Sequence, residues 1–308
     1  MWAFYPRHPG ILLNTIVVLW LWAIGGPGVH AAGDGRFHLG VITERIDEPD
    51  HALSQYSQLR DYLRDRLREY DIDVGPLVIG RDVPDLGEKL ARGQVDMVIE
   101  GVFPTLAMQR RTGELQPALL VWRKEQREYF TVFFSREDGP IETLEDLRGQ
   151  RLTFESPRST SAYAIPRGFL LHRGFTLVPA AGGVAAAGAI RYVFAGAEIN
   201  QAYWVLHGKA EAGAFNDGDW QRLAPGVQRG LRIFARTPPI LRWLVSFHDD
   251  VAPQVRAAVE AGLLEMHEDP VGSEALRAAS DIARFERLDA SDMDNLDTWR
   301  DVLLVDNP

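Results

Sequence analysis

Phe154-Glu155-Ser156-Pro157-Arg158-Ser159-Thr160-Ser161-Ala162-Tyr163 joins a strand end to a helix start. Residues 152–154 read as a short apolar strand, Pro157 marks a turn, and helix-forming residues run on from the three hydroxyls to about Arg173. The first turn of a helix leaves amide N–H groups unpaired and carries a partial positive charge, so an anion placed there is held by amides and dipole together. Hydroxyls at that place add donors without adding formal charge. Taken alone, Ser159, Thr160 and Ser161 also fit the plainer role of an N-cap, so the context must decide. Pro166 sits too deep for a first-turn proline and predicts a bend, or a helix that restarts.

Upstream, residues 36–42 read as a strand, 43–50 as a polar loop, and 51–70 as an amphipathic helix with Tyr56, Leu59, Leu63, Leu67 and Tyr70 on one face. A strand at 77–79, a helix at 83–92 opened by Asp82 and stopped by Gly93, and a strand at 95–99 follow. Gly101 to Thr105 then lead into a short helix. After a strand at 118–121, residues 129–135 are apolar on both faces, and Thr143 reads as the N-cap of a turn at 144–147. This alternation argues for parallel, helix-covered sheets.

Downstream come strands at 175–178 and 190–194, a helix at 198–207, and a strand at 211–215 leading to the loop Asn216-Asp217-Gly218-Asp219. Residues 231–235 carry the chain back, with Thr237-Pro238-Pro239 as a stiff connector. A helix capped by Asp249 or Asp250 runs to about Met266, a shorter one covers 273–282, and an acidic tail ends the chain.

Residues 1–31 read as an export signal that is cleaved: Arg7 supplies the positive region, 11–24 the apolar run, and Val29-His30-Ala31 the small-residue end. A spanning helix needs about 20 apolar residues, and Gly25, Gly26 and Pro27 interrupt this run. No later stretch is long and apolar enough to span, which predicts a soluble periplasmic protein. The chain has no cysteine, so disulfides, thiolate metal sites and a cysteine nucleophile are excluded. A formal net charge of −10 argues against nucleic acid and anionic membranes as partners, so any anion site must be local. About 275 mature residues suit two lobes of roughly 100 to 150 residues each.

Motifs for other chemistry are missing. The eight histidines have no metal-ligand spacing, and H-E-x-x-H, G-x-S-x-G, G-x-G-x-x-G and the P-loop pattern are absent. Residues 180–188, rich in Gly and Ala, read as a flexible loop. Asp292, Asp294 and Asp297 hint at a calcium loop, but Leu296 holds a ligand position, and a solvated tail is the better reading. No carboxylate pair stands out, so no catalytic residue, metal or cofactor is expected.

What does stand out lies just past strand ends: Thr43 to Arg45, Glu100 to Thr105, Ser156 to Ser161, and Asn216 to Asp219. In open α/β sheets such loops converge on a ligand cleft. The chain here resembles the substrate-binding proteins of phosphate/phosphite/phosphonate ABC transporters, among the type II periplasmic binding proteins. The resemblance is carried by Gly93-Gln94-Val95-Asp96-Met97, by the Thr-Leu-Glu-Asp-Leu-Arg-Gly-Gln-Arg run at 143–151, and by the hydroxyl-led stretch with Pro166. Glu198-Ile199-Asn200-Gln201 and Gly208-Lys209-Ala210-Glu211-Ala212-Gly213-Ala214 continue it.

The resemblance implies an α/β protein with the two-lobed type II fold, each lobe a central sheet flanked by helices, joined by two crossing segments. Lobe 1 would comprise 34–130 plus 237–308, and lobe 2 would comprise 131–236. It also implies an oxyanion held at Ser159, Thr160 and Ser161, hinge closure, and delivery to an ABC transporter permease, by a monomer. A receptor for a membrane sensor kinase would use the same fold, and a binder of another small anionic or zwitterionic metabolite is the remaining alternative.

The chain departs from the family pattern at Ala162, Thr105 and Glu198, where the family usually has glycine, tyrosine and histidine. A glutamate facing an oxyanion repels it, so either Glu198 lies outside the cleft or the ligand carries a cationic group. A first-turn helix acid is the favoured reading of Glu198. Tyr56, Phe103 and Asn216 are further candidates for the cleft, and Arg158 is a possible bidentate partner for an anion.

Overall fold

A computed structural model describes residues 34–45, 48–181 and 186–303. The expected export signal at 1–31, the centre of the Gly/Ala-rich loop and the end of the acidic tail lie outside the described residues. Among the described residues no helix is long and apolar enough to cross a membrane.

The first part of the chain alternates as expected: β1 (Leu39–Ile42), α1 (Pro49–Leu67), β2 (Val78–Gly80), α2 (Val83–Ala91), β3 (Met97–Gly101), α3 (Val102–Thr112) and β4 (Leu115–Arg123). A short β5 (Glu128–Tyr129) leads to β6 (Thr131–Arg136), β7 (Arg151–Phe154), α4 (Ile165–His172), β8 (Leu177–Pro179), β9 (Ile190–Phe194) and α5 (Glu198–Leu206). Next come β10 (Ala212–Asn216), α6 (Asp217–Arg222), α7 (Pro225–Gln228), β11 (Leu231–Arg236), β12 (Ile240–Leu241) and β13 (Trp243–His248). The chain continues through α8 (Pro253–Glu265), α9 (Pro270–Ala278), β14 (Ile282–Arg287) and α10 (Ala290–Leu303).

The long strands form two six-stranded sheets, ordered β14-β4-β13-β3-β1-β2 and β11-β6-β10-β7-β9-β8. The chain leaves the first sheet through β5 and returns through β12, and those two strands pair with each other. Thr131 and Thr237 tie the two crossings together: Thr131 N donates to Thr237 Oγ1 at 3.0 Å, and Thr237 N donates to Thr131 O at 2.9 Å.

The sheets are mixed, not wholly parallel as expected. β13 runs antiparallel between β3 and β4, and β6 runs antiparallel between β10 and β11, whereas β1–β3 and β7–β10 pair in parallel. β6 and β13 each follow a crossing and enter their sheet from the other one instead of through a right-handed helical connection, and β14, which follows α9, also runs antiparallel to β4 at the edge of the first sheet.

Apolar residues cover both faces of each sheet. Along β6, Val132 and Phe134 pack into one cluster and Phe133 into another, which explains the two-faced apolar run of that strand. On α1, Tyr56, Leu59, Leu63 and Leu67 are buried, while Tyr70 is exposed, because the helix tightens into a 3-10 turn at Arg68–Tyr70 and swings that ring off the face.

The C-terminal part differs most from its sequence reading. The acidic tail is α10, and its Leu296, Trp299 and Val302 belong to a core cluster that also contains Leu120 and Leu244 of the first sheet and Phe133 and Phe154 of the second. Asp292 is buried under a bidentate pair with Arg127, at 2.9 and 2.8 Å. That pairing replaces solvent around the carboxylate. Smaller corrections concern caps. Asp146 reaches back to the amides of Glu142 and Thr143 where Thr143 was the expected cap, Ala252 stands at the cap of α8 where Asp249 or Asp250 was expected, and α9 is capped by Asp269.

Candidate functional site

Between the two sheets lies a cleft of about 570 Å³. The first sheet supplies strand ends and the helix starts that follow them: Thr43 and Glu44 after β1, Asp82 to Pro84 at α2, Glu100 and Gly101 at the end of β3, and Phe103 and Pro104 in α3. The second sheet supplies residues 155–161 after β7, Glu198 at the start of α5, and Asn216 and Asp219 around the start of α6. These are carboxyl ends of strands, where an open α/β sheet leaves room for a ligand.

The hydroxyl-led turn has an unusual local geometry. Residues Thr160–Ala164 form a π-helical turn, and α4 restarts at Ile165 with Pro166 in its first turn. Pro166 has no N–H to offer the preceding turn, so the carbonyls of Ser161 and Ala162 find other donors. Thr131 Oγ1 donates to Ser161 O at 2.8 Å, and Glu155 N donates to Ala162 O at 3.2 Å. The proline therefore leaves the turn free to be tied to β6 and to the end of β7.

The three hydroxyls have different tasks. Ser159 Oγ accepts from Ala162 N at 3.1 Å, an ordinary N-cap. Ser161 Oγ accepts from Asn216 Nδ2 at 3.3 Å, which leaves its own proton free to donate. Thr160 Oγ1 has no partner among the described residues. Arg158 extends from the same turn across the cleft and donates through Nη2 to Thr43 O at 2.9 Å and Arg81 O at 3.0 Å. It thus binds backbone of the other sheet, where an anion was considered from the sequence.

Asn216 lines the cleft as the N-cap of α6, accepting from Asp219 N at 3.0 Å and donating to the Asp219 carboxylate. The stretch read as a loop is therefore a helix start. Phe103 lines the cleft as well. Glu198 is both things the sequence allowed, a first-turn acid of α5 and a wall of the cleft.

Two candidates do not reach the cleft lining. Tyr56 is buried in the core against α1's neighbours, its hydroxyl 3.2 Å from Ser280 Oγ, and Thr105 is fully buried with an unpartnered Oγ1. Both stand on the inward face of their helices; Thr105 directly follows Phe103 and Pro104, which line the cleft, whereas α1 contributes no lining residue.

The carboxylates are shifted by their surroundings. Burial, with the nearby charge of Glu155, pushes Glu198 up to about 7. Burial pushes Glu100 up to about 8, despite a 2.7 Å hydrogen bond from Ile42 N to Oε1. Among the described residues no group of histidines and acids is placed to hold a metal ion.

Sequence reasoning missed the wall formed by Arg123, Lys124, Tyr129, Arg242 and Trp243. A signal was present, since Arg242 interrupts the apolar run 240–247, and a charge inside a buried strand calls for a partner.

The sequence profile described as "ABC transporter, phosphonate, periplasmic substrate-binding protein" matches residues 45–293. No curated protein sequence matches the chain. Among solved structures, XAC2383 from Xanthomonas citri, bound to chloride ion, is 30% identical with a TM-score of 0.77, over 87% of this chain and 97% of that one. The same protein bound to ATP aligns at 29% identity and a TM-score of 0.77, over 87% and 96%. PhnD1 from Prochlorococcus marinus, in complex with methylphosphonate, shares the fold at 17% identity and a TM-score of 0.59, over 86% and 96%.

Proposed function

The chain belongs to the phosphonate-binding family of periplasmic substrate-binding proteins of ABC transporters, and from that premise we propose that it captures a small phosphorus oxyanion, of the phosphonate, phosphite or phosphate class, by closing its lobes around the cleft. The loaded form then delivers the ligand to the transporter's permease. Residues 1–31 are the proposed export signal. The lobes are proposed to divide at 131 and 237.

The observation that carries this reading is the hydroxyl-led π turn. Thr160 and Ser161 each keep an O–H free to donate, at a helix start whose residues line the cleft. Such a site offers neutral donors and a dipole, which suits a small anion that must also be released. XAC2383, the relative at 30% identity, has been seen with chloride and with ATP, both anions.

The paired acids refine the ligand. Glu155 stands close enough to Glu198 to raise its affinity for a proton, and both line the cleft. A bare oxyanion would be repelled there, whereas a ligand with an ammonium group would relieve the pair. The ligand is therefore proposed to carry a cation beside its phosphorus group.

A thermal-shift panel of methylphosphonate, 2-aminoethylphosphonate, phosphite, phosphate and sulfate tests this reading. A ligand at about 100 times its Kd stabilises by about 2.7 kcal/mol, a readable change in Tm. The expected result is the largest shift with 2-aminoethylphosphonate, and a loss of its advantage over methylphosphonate in Glu198→Gln. No shift with any of the phosphorus compounds would refute the proposed ligand class.

A further inference from the structure

Five cations line the cleft: Arg123, Lys124, Arg158, Arg222 and Arg242. Three are engaged by the fold. Arg123 pairs with Glu44 at 2.9 Å and donates to Ser280 O, Arg222 pairs with Asp219, and Arg158 binds the two carbonyls across the cleft. Arg242 and Lys124 form no ion pair among the described residues.

Arg242 is the more telling of the two. It is 7% exposed, lies over the Tyr129 ring at 4.6 Å, and its Nε has no hydrogen-bond partner. Asp219 and Asp217 act on it only from a distance, and Asp219 is already held by Asn216 and Arg222. A buried charge without a counter-charge opposes folding, and the ring contact compensates only in part. A neutral side chain would fill this place more comfortably, so a guanidinium retained here calls for an anion that arrives from outside.

Lys124 stands beside it on a rigid turn. Lys124 and Glu125 both hold left-handed backbone, at φ +53° and +63°, and Lys124 N donates to Asp281 O at 2.8 Å. Burial, together with the charges of Arg123, Arg222 and Arg242, lowers its hold on its proton, a repulsion that a bound anion would remove.

We propose that Arg242 and Lys124 form a second anion subsite on the first-sheet wall of the cleft, and that the ligand is an organophosphonate or phosphate ester bearing an additional carboxylate. This rests on the proposed function, in which the phosphorus group occupies the hydroxyl-led turn. Glu198, Arg242 and Lys124 line the same cleft as Thr160 and Ser161, so the sites for the ammonium, carboxylate and phosphonate ends open onto one cavity. The combination describes a phosphono amino acid: phosphonate at Thr160 and Ser161, ammonium at Glu198 and Glu155, carboxylate at Arg242 and Lys124. A cleft of about 570 Å³ has room for such a ligand, which a bare oxyanion would not fill.

The test is calorimetric titration with 2-aminoethylphosphonate and 2-amino-3-phosphonopropionate, which differ only by one carboxylate. Wild type is expected to bind the carboxylated compound at least tenfold more tightly. Arg242→Gln should abolish that preference. Lys124→Gln alters a side chain at the cleft wall outside the core, serves if the buried variant fails to fold, and should reduce the preference at least threefold. Equal or weaker binding of the carboxylated compound by wild type, or a preference kept in the variants, overturns the subsite while binding of 2-aminoethylphosphonate leaves the proposed function standing. No binding of either compound removes both.

Discussion

Glu100 concentrates the electrostatic cost of the site in one residue. Its carboxyl, at the end of β3, is buried and accepts from Ile42 N, and burial pushes it up to about 8. A carboxyl raised in the folded state stabilises the fold below its ordinary range, and that contribution is lost as pH climbs from there through about 8. Wild-type stability in urea should therefore fall between pH 5 and pH 9, each pH unit of displacement being worth about 1.4 kcal/mol. Glu100→Gln retains the amide acceptor and should flatten most of that slope, the remainder coming from Glu198. A variant with the full wild-type slope would show that Glu100 does not titrate in this range.

Among the elements, the π turn and α4 explain what Pro166 is for. From the sequence, the proline predicts a restart, and the restart is present. Its purpose was not legible, because the donors that take over, Thr131 and Glu155, lie far away in sequence or in another element. Thr131→Val keeps the shape of a fully buried side chain and leaves Ser161 O without its hydroxyl donor. The expected cost is about 1 to 3 kcal/mol in urea unfolding, with weaker ligand binding, and Thr131→Ser should recover most of both. Wild-type stability in the valine variant would mean the turn is held otherwise. The same contrast runs through the rest of the chain. Strands and helices with a single apolar face, such as α1 and β9, can be read from spacing alone. The wall at Arg242 and the helix α10 could not, since β13 is recognised only by pairing between β3 and β4, and the acids of α10 look solvated until Arg127 is brought against Asp292.

At the scale of the whole molecule, the two sheets are joined by a continuous apolar cluster and, across the cleft, by Arg158. If closure holds the ligand, the Arg158 contact belongs to the closed form alone. Arg158→Ala should then weaken ligand affinity about 10-fold or more, chiefly through faster release, with hydrogen bonds to a charged group worth about 1.5 to 3 kcal/mol. Stopped-flow release of 2-aminoethylphosphonate checks this, and an unchanged release rate would dissociate Arg158 from closure. The central claim is that Thr160 and Ser161 hold the phosphorus oxyanion. Titration calorimetry of 2-aminoethylphosphonate into wild type and into Thr160→Val/Ser161→Ala tests it most directly. The account predicts saturable binding by wild type and a loss of about 100-fold or more in the double variant, two charge-assisted hydrogen bonds being removed. Equal affinity in the two proteins would contradict it.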